Sequence, residues 1–98
     1  DVAEAIFTTL NAKTLNLKKI MGNQLPMFNI GTGESLSIKK LSFLIKRLTN
    51  FKGKIYFDRN FPDGTINKNL DSKRIKLLNW NAKIKLIDGL KEIIDQKT

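Results

Sequence analysis

The run Met27–Phe57, MFNIGTGESLSIKKLSFLIKRLTNFKGKIYF, decides the fold. Met27-Phe28-Asn29-Ile30 follows Pro26 and reads as a short strand. Gly31-Thr32-Gly33-Glu34 supplies turn residues. Ser37 is placed to cap a helix running to about Thr49, with Ile38, Leu41, Leu44, Ile45 and Leu48 as its buried stripe. Asn50 and Gly53 flank its end, and Lys54-Ile55-Tyr56-Phe57 has the β-branched and aromatic content of a second strand. Strand, helix and strand in that order predict two parallel strands with a right-handed crossover. Two strands make a poor sheet by themselves, so the other helices must cover them or a further domain must. The expected fold is therefore α/β: a small lobe of two short parallel strands and about four helices.

Outward from that unit the pattern is helical. Val2, Ile6 and Leu10 recur every four residues, and Asp1 with Glu4 has the spacing of a capping pair. Residues 11–24 carry scattered apolar side chains and read as a long loop with at most a helical turn. Residues 58–69 read as another loop. Asp71 or Ser72 caps a short helix to Leu78, with Ile75 and Leu78 turned inward. The last helix is expected over 86–96, burying Leu86, Leu90, Ile93 and Ile94. No repeat or linker interrupts residues 1–98, which read as a single domain. The chain opens on Asp1 inside a helical pattern, without an initiator Met, and the expectation is a fragment of a longer protein.

Composition narrows the chemistry. The 98 residues include no Cys and no His. That removes thiolate metal sites, disulfides and the commonest general base. No apolar run approaches membrane-spanning length and no signal peptide is visible, so a cytoplasmic protein is expected. The net charge is +9, and six basic residues with no acid lie between Ser35 and Phe57. Such a patch attracts phosphate, nucleic acid or anionic surfaces. Yet fifteen of the eighteen cations are Lys, and specific base readers lean on the Arg fork. Along the sequence the aromatic residues are few and not interleaved with the basic ones, as a stacking platform requires. The charge reads as mostly solvated surface, and nucleic acid is not the expected partner.

Three constellations bear on function. Asn29-Ile30-Gly31-Thr32-Gly33 holds a Gly-x-Gly, but a dinucleotide fingerprint needs glycine where Leu36 stands, and no P-loop lysine follows. A tight turn with positive φ is the simpler reading. Tyr56 would need a lysine where Asn60 stands to form a Tyr-x-x-x-Lys pair, so it reads as a packing residue on its strand. The third is Phe61–Trp80, FPDGTINKNLDSKRIKLLNW. Pro62-Asp63-Gly64-Thr65 is a turn signature. Asp63 lies five residues before Lys68, so one loop offers a carboxylate acceptor and an ammonium donor. A carboxylate suits sugar hydroxyls or a guanine amide edge, and a lysine suits a diphosphate. The helix begun by Asp71-Ser72-Lys73-Arg74-Ile75 anchors that loop.

Read in order, Asp-Val-Ala near the start, Asn-x-Gly-x-Gly, Lys-Gly-Lys-Ile-x-Phe-Asp, Pro-Asp-Gly-Thr, Leu-Asp-Ser-Lys-Arg-Ile and Leu-Asn-Trp resemble the GDP-L-fucose synthase family. These are extended short-chain dehydrogenase/reductases of the NAD-dependent epimerase/dehydratase class. The resemblance runs from Asp1 to about Ile94 and is to the C-terminal substrate-binding part. Asn-x-Gly-x-Gly is general to sugar-nucleotide epimerases and reductases, whereas Pro62 to Asp71 points to the fucose synthase branch. The resemblance implies an NADPH enzyme that epimerises a GDP-4-keto-6-deoxy-mannose at two sugar carbons and then reduces the ketone. It carries a substrate-contacting aspartate onto Asp63 and a lysine near the GDP phosphates onto Lys68. Ile66-Asn67 replaces the family's Pro-Arg, which removes one positive charge, and Asn79 replaces a glycine before the tryptophan.

The family's nucleotide-binding Rossmann domain, its Ser-Tyr-Lys set and its epimerising Cys and His match nothing in these 98 residues. The chain alone is therefore expected to hold no cofactor and no catalytic residue. It is expected to supply half of a GDP-sugar site, to need the Rossmann domain as partner, and to offer an exposed apolar face for a homodimer. Two other readings stay open. One is a lobe of a related UDP- or dTDP-sugar epimerase. The other is a small basic nucleic-acid-binding domain, resting on charge and size.

Overall fold

The computed structural model describes residues 1–25, 27–64 and 69–97. Five helices form among them: α1 (Val2–Leu10), α2 (Thr14–Met21), α3 (Ile38–Leu48), α4 (Lys73–Lys76) and α5 (Leu86–Lys97). The described residues contain no strand, and this overturns the expected α/β lobe. The polypeptide divides into two compact units, residues 1–34 with 69–83, and residues 35–68 with 84–98.

The missing strands have a physical cause. A strand needs a neighbour to take its backbone groups. Around residues 27–31 side chains take that place. Arg74 Nη1 donates to the carbonyls of Leu25 and Met27 at 3.3 and 3.2 Å, and Ser72 Oγ donates to the carbonyl of Gly31 at 3.0 Å. Residues 54–57 belong to the other unit and are irregular as well. Tyr56 is 83% exposed there, so it is not the packing residue expected. β-Propensity is a fit to a pleated, half-buried surface, and these segments have no such surface.

The first unit holds the buried core. Ala5, Ile75 and Trp80 are buried, with Phe28, Ile30 and Ala82 packed against them. α1 turns its small side inward. Ala5 is buried while Thr8 and Thr9 are half-buried, and Val2, Ile6, Phe7 and Leu10 face water. The expected Val2–Ile6–Leu10 stripe is thus the outer face. Asp1 is the N-cap, but its carboxylate accepts from the backbone N–H of Lys83 at 3.1 and 3.2 Å instead of capping α1. Glu4, expected as its capping partner, pairs with Lys83 Nζ at 2.7 Å. These bonds fasten the segment after Trp80 to the start of α1.

α2 replaces most of an expected loop. Leu17, Ile20 and Met21 are spaced i, i+3, i+4 and are half-buried along one face. Gly22, at φ 53°, ends the helix and donates its N–H to the Lys18 carbonyl at 2.9 Å.

The second unit contains α3 and α5, which pack on each other. Ser37 caps α3 as expected, accepting from Lys40 N–H at 3.2 Å. Leu41, Leu44 and Leu48 are half-buried, but Ile38 is 74% exposed. In α5 the half-buried positions are Ile87, Gly89, Leu90 and Ile94, while Leu86 and Ile93 are exposed. No described residue of this unit is fully buried.

Candidate functional site

The loop carrying the expected site leaves residues 54–57 and enters an Asx turn. Asp58 Oδ1 accepts from Asn60 N–H at 2.9 Å. This turn at 58–60 precedes Pro62-Asp63-Gly64. Residues 62–64 are irregular and exposed. Gly64 does not take positive φ, and a β-carbon there would meet open space.

Asp63 is exposed and accepts no hydrogen bond from any described residue. Its carboxylate is presented to solvent rather than spent on the fold, as a ligand-facing acceptor must be. Lys68, expected beside it, lies outside the described residues, as do Thr65, Ile66 and Asn67. Nothing is therefore assigned to the Asp63–Lys68 pairing from geometry.

The segment after the loop is tied into the core. Ser72 is buried, and its hydroxyl bonds the Gly31 carbonyl. Asp71 Oδ1 accepts from Lys73 N–H at 3.0 Å in an Asx turn, and Ser72 is the N-cap of the single turn of α4 that ends at Lys76. Ile75 and Trp80 enter the core, and Asn79 between them takes left-handed φ 61°. Asparagine is among the few residues that adopt that conformation easily, so it can stand where a glycine would. Trp80 Nε1 is buried and meets no acceptor among the described residues.

The Gly-x-Gly segment does not form a phosphate cradle. Gly33 takes φ 79°, as a tight turn requires, but Gly31 does not take positive φ. A β-carbon on Gly31 would touch Leu70 at 3.5 Å, and its carbonyl is taken by Ser72. α3 starts at Ile38, well past the glycines, so no helix N-terminus sits at the turn. Among the described residues, no three metal-ligating side chains gather. Among the described residues, no helix is long and apolar enough to cross a membrane.

Comparison with known proteins gives the relationship directly. The chain is 44% identical over 64 residues to putative GDP-L-fucose synthase 2 of Arabidopsis thaliana, and 40% identical over 62 residues to the GDP-L-fucose synthase of Escherichia coli. Those alignments cover 65% and 63% of this chain. A putative UDP-glucose 4-epimerase of Methanocaldococcus jannaschii is 30% identical over 97% of the chain and 28% of its own length. The chain spans about a fifth of the length of the fucose synthases it matches (20% and 19%). No family model and no solved structure matches it.

Proposed function

We propose, for a chain related in sequence to the GDP-L-fucose synthases, that it is the C-terminal substrate-binding lobe of such an enzyme and contributes part of a GDP-sugar site. The observation that carries this reading is the agreement of plant and bacterial relatives bearing that name at 40–44% identity. Asp63 accepts hydrogen bonds from sugar hydroxyls or from the guanine amide edge, and Lys68 places its ammonium at the diphosphate. Asp63 suits that role because it is exposed and bonded to no described residue. The buried Ser72–Ile75–Trp80 segment holds the far end of the loop.

The epimerisation and the hydride transfer from NADPH belong to the remainder of the enzyme. The residues here do not fit a dinucleotide: Leu70 and Ser72 occupy the approach to Gly31, and no helix begins at the turn. The exposed apolar face of α1, formed by Val2, Ile6, Phe7 and Leu10, is where we expect a Rossmann domain or a second copy to pack. A second reading keeps the same lobe but assigns it to a UDP-sugar epimerase. It is favoured by a match that runs along 97% of the chain.

An amide-resolved NMR titration separates the two. GDP-fucose is expected to shift amides around Asp63 and Lys68, with the response lost in Asp63→Asn and Lys68→Ala. A response to UDP-glucose and none to GDP-fucose overturns the GDP assignment in favour of the epimerase. The chain alone, given NADPH and GDP-4-keto-6-deoxy-mannose, is expected to show no turnover, and measurable turnover refutes the half-site.

A further inference from the structure

We infer that α3 carries a second binding surface, a groove for single-stranded nucleic acid held by phosphate charge and base stacking without sequence preference. It involves other residues than the loop assigned to the GDP-sugar and does not depend on that assignment. Along the sequence the aromatic and basic residues look separate, but the helix brings them into one stripe. Lys39, Phe43 and Arg47 stand at i, i+4 and i+8, which is a single helical face. Two shallow concavities follow that face and share Phe43 and Arg47. The first, about 630 Å³, is lined by Lys39, Lys40 and Leu44 besides the shared pair. The second, about 440 Å³, adds Lys46, Phe51 and Lys52. Together they extend the length of α3, eleven residues or about 16 Å.

The rings are accessible and held in place. Phe43 and Phe51 are 47% and 55% exposed. Phe43 is braced by Phe57, with ring centroids 6.4 Å apart and planes tilted by 50°. Phe51 lies against Gly53, where a β-carbon would collide with its ring. The cations are equally available: none of Lys39, Lys40, Lys46, Arg47 or Lys52 is in an ion pair with a described residue. A shallow cationic surface lined by exposed aromatic rings is the arrangement that binds a single strand through its backbone and stacks its bases. Lysine-rich cations suit this ligand, since a point charge meets phosphate without reading a base.

The test is fluorescence anisotropy of the full 98-residue chain with labelled oligo-dT of about 15 nucleotides, between 50 and 200 mM salt. Binding is expected to weaken with salt at a log–log slope of about −3, near −0.7 for each of four to five phosphates neutralised. Lys39→Gln with Lys40→Gln and Arg47→Gln is expected to flatten the slope towards about −1. Phe43→Leu is expected to weaken binding about fivefold or more at unchanged slope, the mark of lost stacking rather than lost charge. Gly53→Ala, which displaces the Phe51 ring, is expected to act in the same direction. Circular dichroism of each variant shows that α3 is kept. No binding at 50 mM salt overturns the proposal. So does binding that is indifferent to both Phe43→Leu and Gly53→Ala, or preference for phosphatidylserine vesicles or polyglutamate over the oligonucleotide.

Discussion

The two compact units invert the usual relation between helix length and burial. The second has the two longest helices, α3 and α5, yet none of its described residues is fully buried. The first has the shortest helix, the four-residue α4, and nonetheless owns every buried side chain in the described structure. The difference lies in what fixes each chain segment. In the first unit, side chains tie together backbone segments far apart in sequence. Ser72 reaches Gly31, Arg74 reaches Leu25 and Met27, and Lys83 reaches Asp1 and Glu4. In the second, side-chain hydrogen bonds such as those of Ser37 with Lys40 and Thr49 with Ile45 are local. Regular secondary structure and a closed core are separate achievements, and this molecule divides them between its units.

That contrast is broken or upheld most sharply at Trp80. Trp80→Ala empties the centre of the first unit and is expected to cost about 3–5 kcal/mol. Ile38→Ala, at a helical position 74% exposed, is expected to stay within about 0.5 kcal/mol. Urea unfolding followed by circular dichroism measures both. Similar losses at the two sites would mean that the second unit has a core as firm as the first. Trp80→Phe is a finer probe. It keeps most of the ring and removes an indole N–H that has no acceptor among the described residues, so it is expected to cost well under half of the alanine change.

The same contrast explains what was legible in the sequence. α3 and α5 were readable because their apolar spacing and the Ser37 cap are local signals. Which face each helix buries was not, because that is set by the neighbours. α1 shows it plainly. Val2, Ile6 and Leu10 form the better apolar stripe, but Ala5 is the buried residue because its small side chain lets Ile75 and Trp80 close in. The strands failed for the same reason: residues 27–30 and 54–57 have strand composition, but their hydrogen-bonding partners are side chains or none that forms a ladder. α2 was missed although Leu17, Ile20, Met21 and Gly22 hold a helical triplet and its stop signal. Of the candidate site, Asp63 was legible from its turn motif and is exposed, and an Asx turn at Asp58 precedes it. That Phe43 stands between Lys39 and Arg47 on one face of α3 was not legible along the chain, because four-residue spacing hides adjacency along a helix.

Two serines carry the comparison to a single hydroxyl. Ser72 is buried and donates to Gly31, 41 residues away. Ser37 is exposed and accepts from Lys40, three residues on. Ser72→Ala leaves a part-buried carbonyl without its donor and is expected to cost about 1–3 kcal/mol. Ser37→Ala removes an N-cap and is expected to cost about 1 kcal/mol, confined to α3. Hydrogen exchange distinguishes them by reach. Ser72→Ala is expected to raise exchange throughout residues 27–31 and 72–80, and Ser37→Ala only in the first turn of α3. Exchange that spreads equally from both would erase the distinction between long-range and local fastening.

The smallest expected effect lies at Lys83, where one residue makes two kinds of contact with α1. Its ammonium meets Glu4 at 2.7 Å, but the side chains are 69% and 45% exposed. An ion pair so open to water contributes about 0.2–1 kcal/mol and is screened by salt. Its backbone N–H meets the Asp1 carboxylate at 3.1 Å, a charge-assisted bond that no substitution of the Lys83 side chain removes. Glu4→Gln and Lys83→Met, combined in a double-mutant cycle, are therefore expected to show a coupling below about 1 kcal/mol that fades by 1 M salt. Asp1→Asn removes the charge from the second contact and is expected to cost more than either. If the coupling between Glu4 and Lys83 instead exceeds the Asp1→Asn loss and survives high salt, the surface ion pair, not the carboxylate on the backbone, is what fastens this end of the first unit.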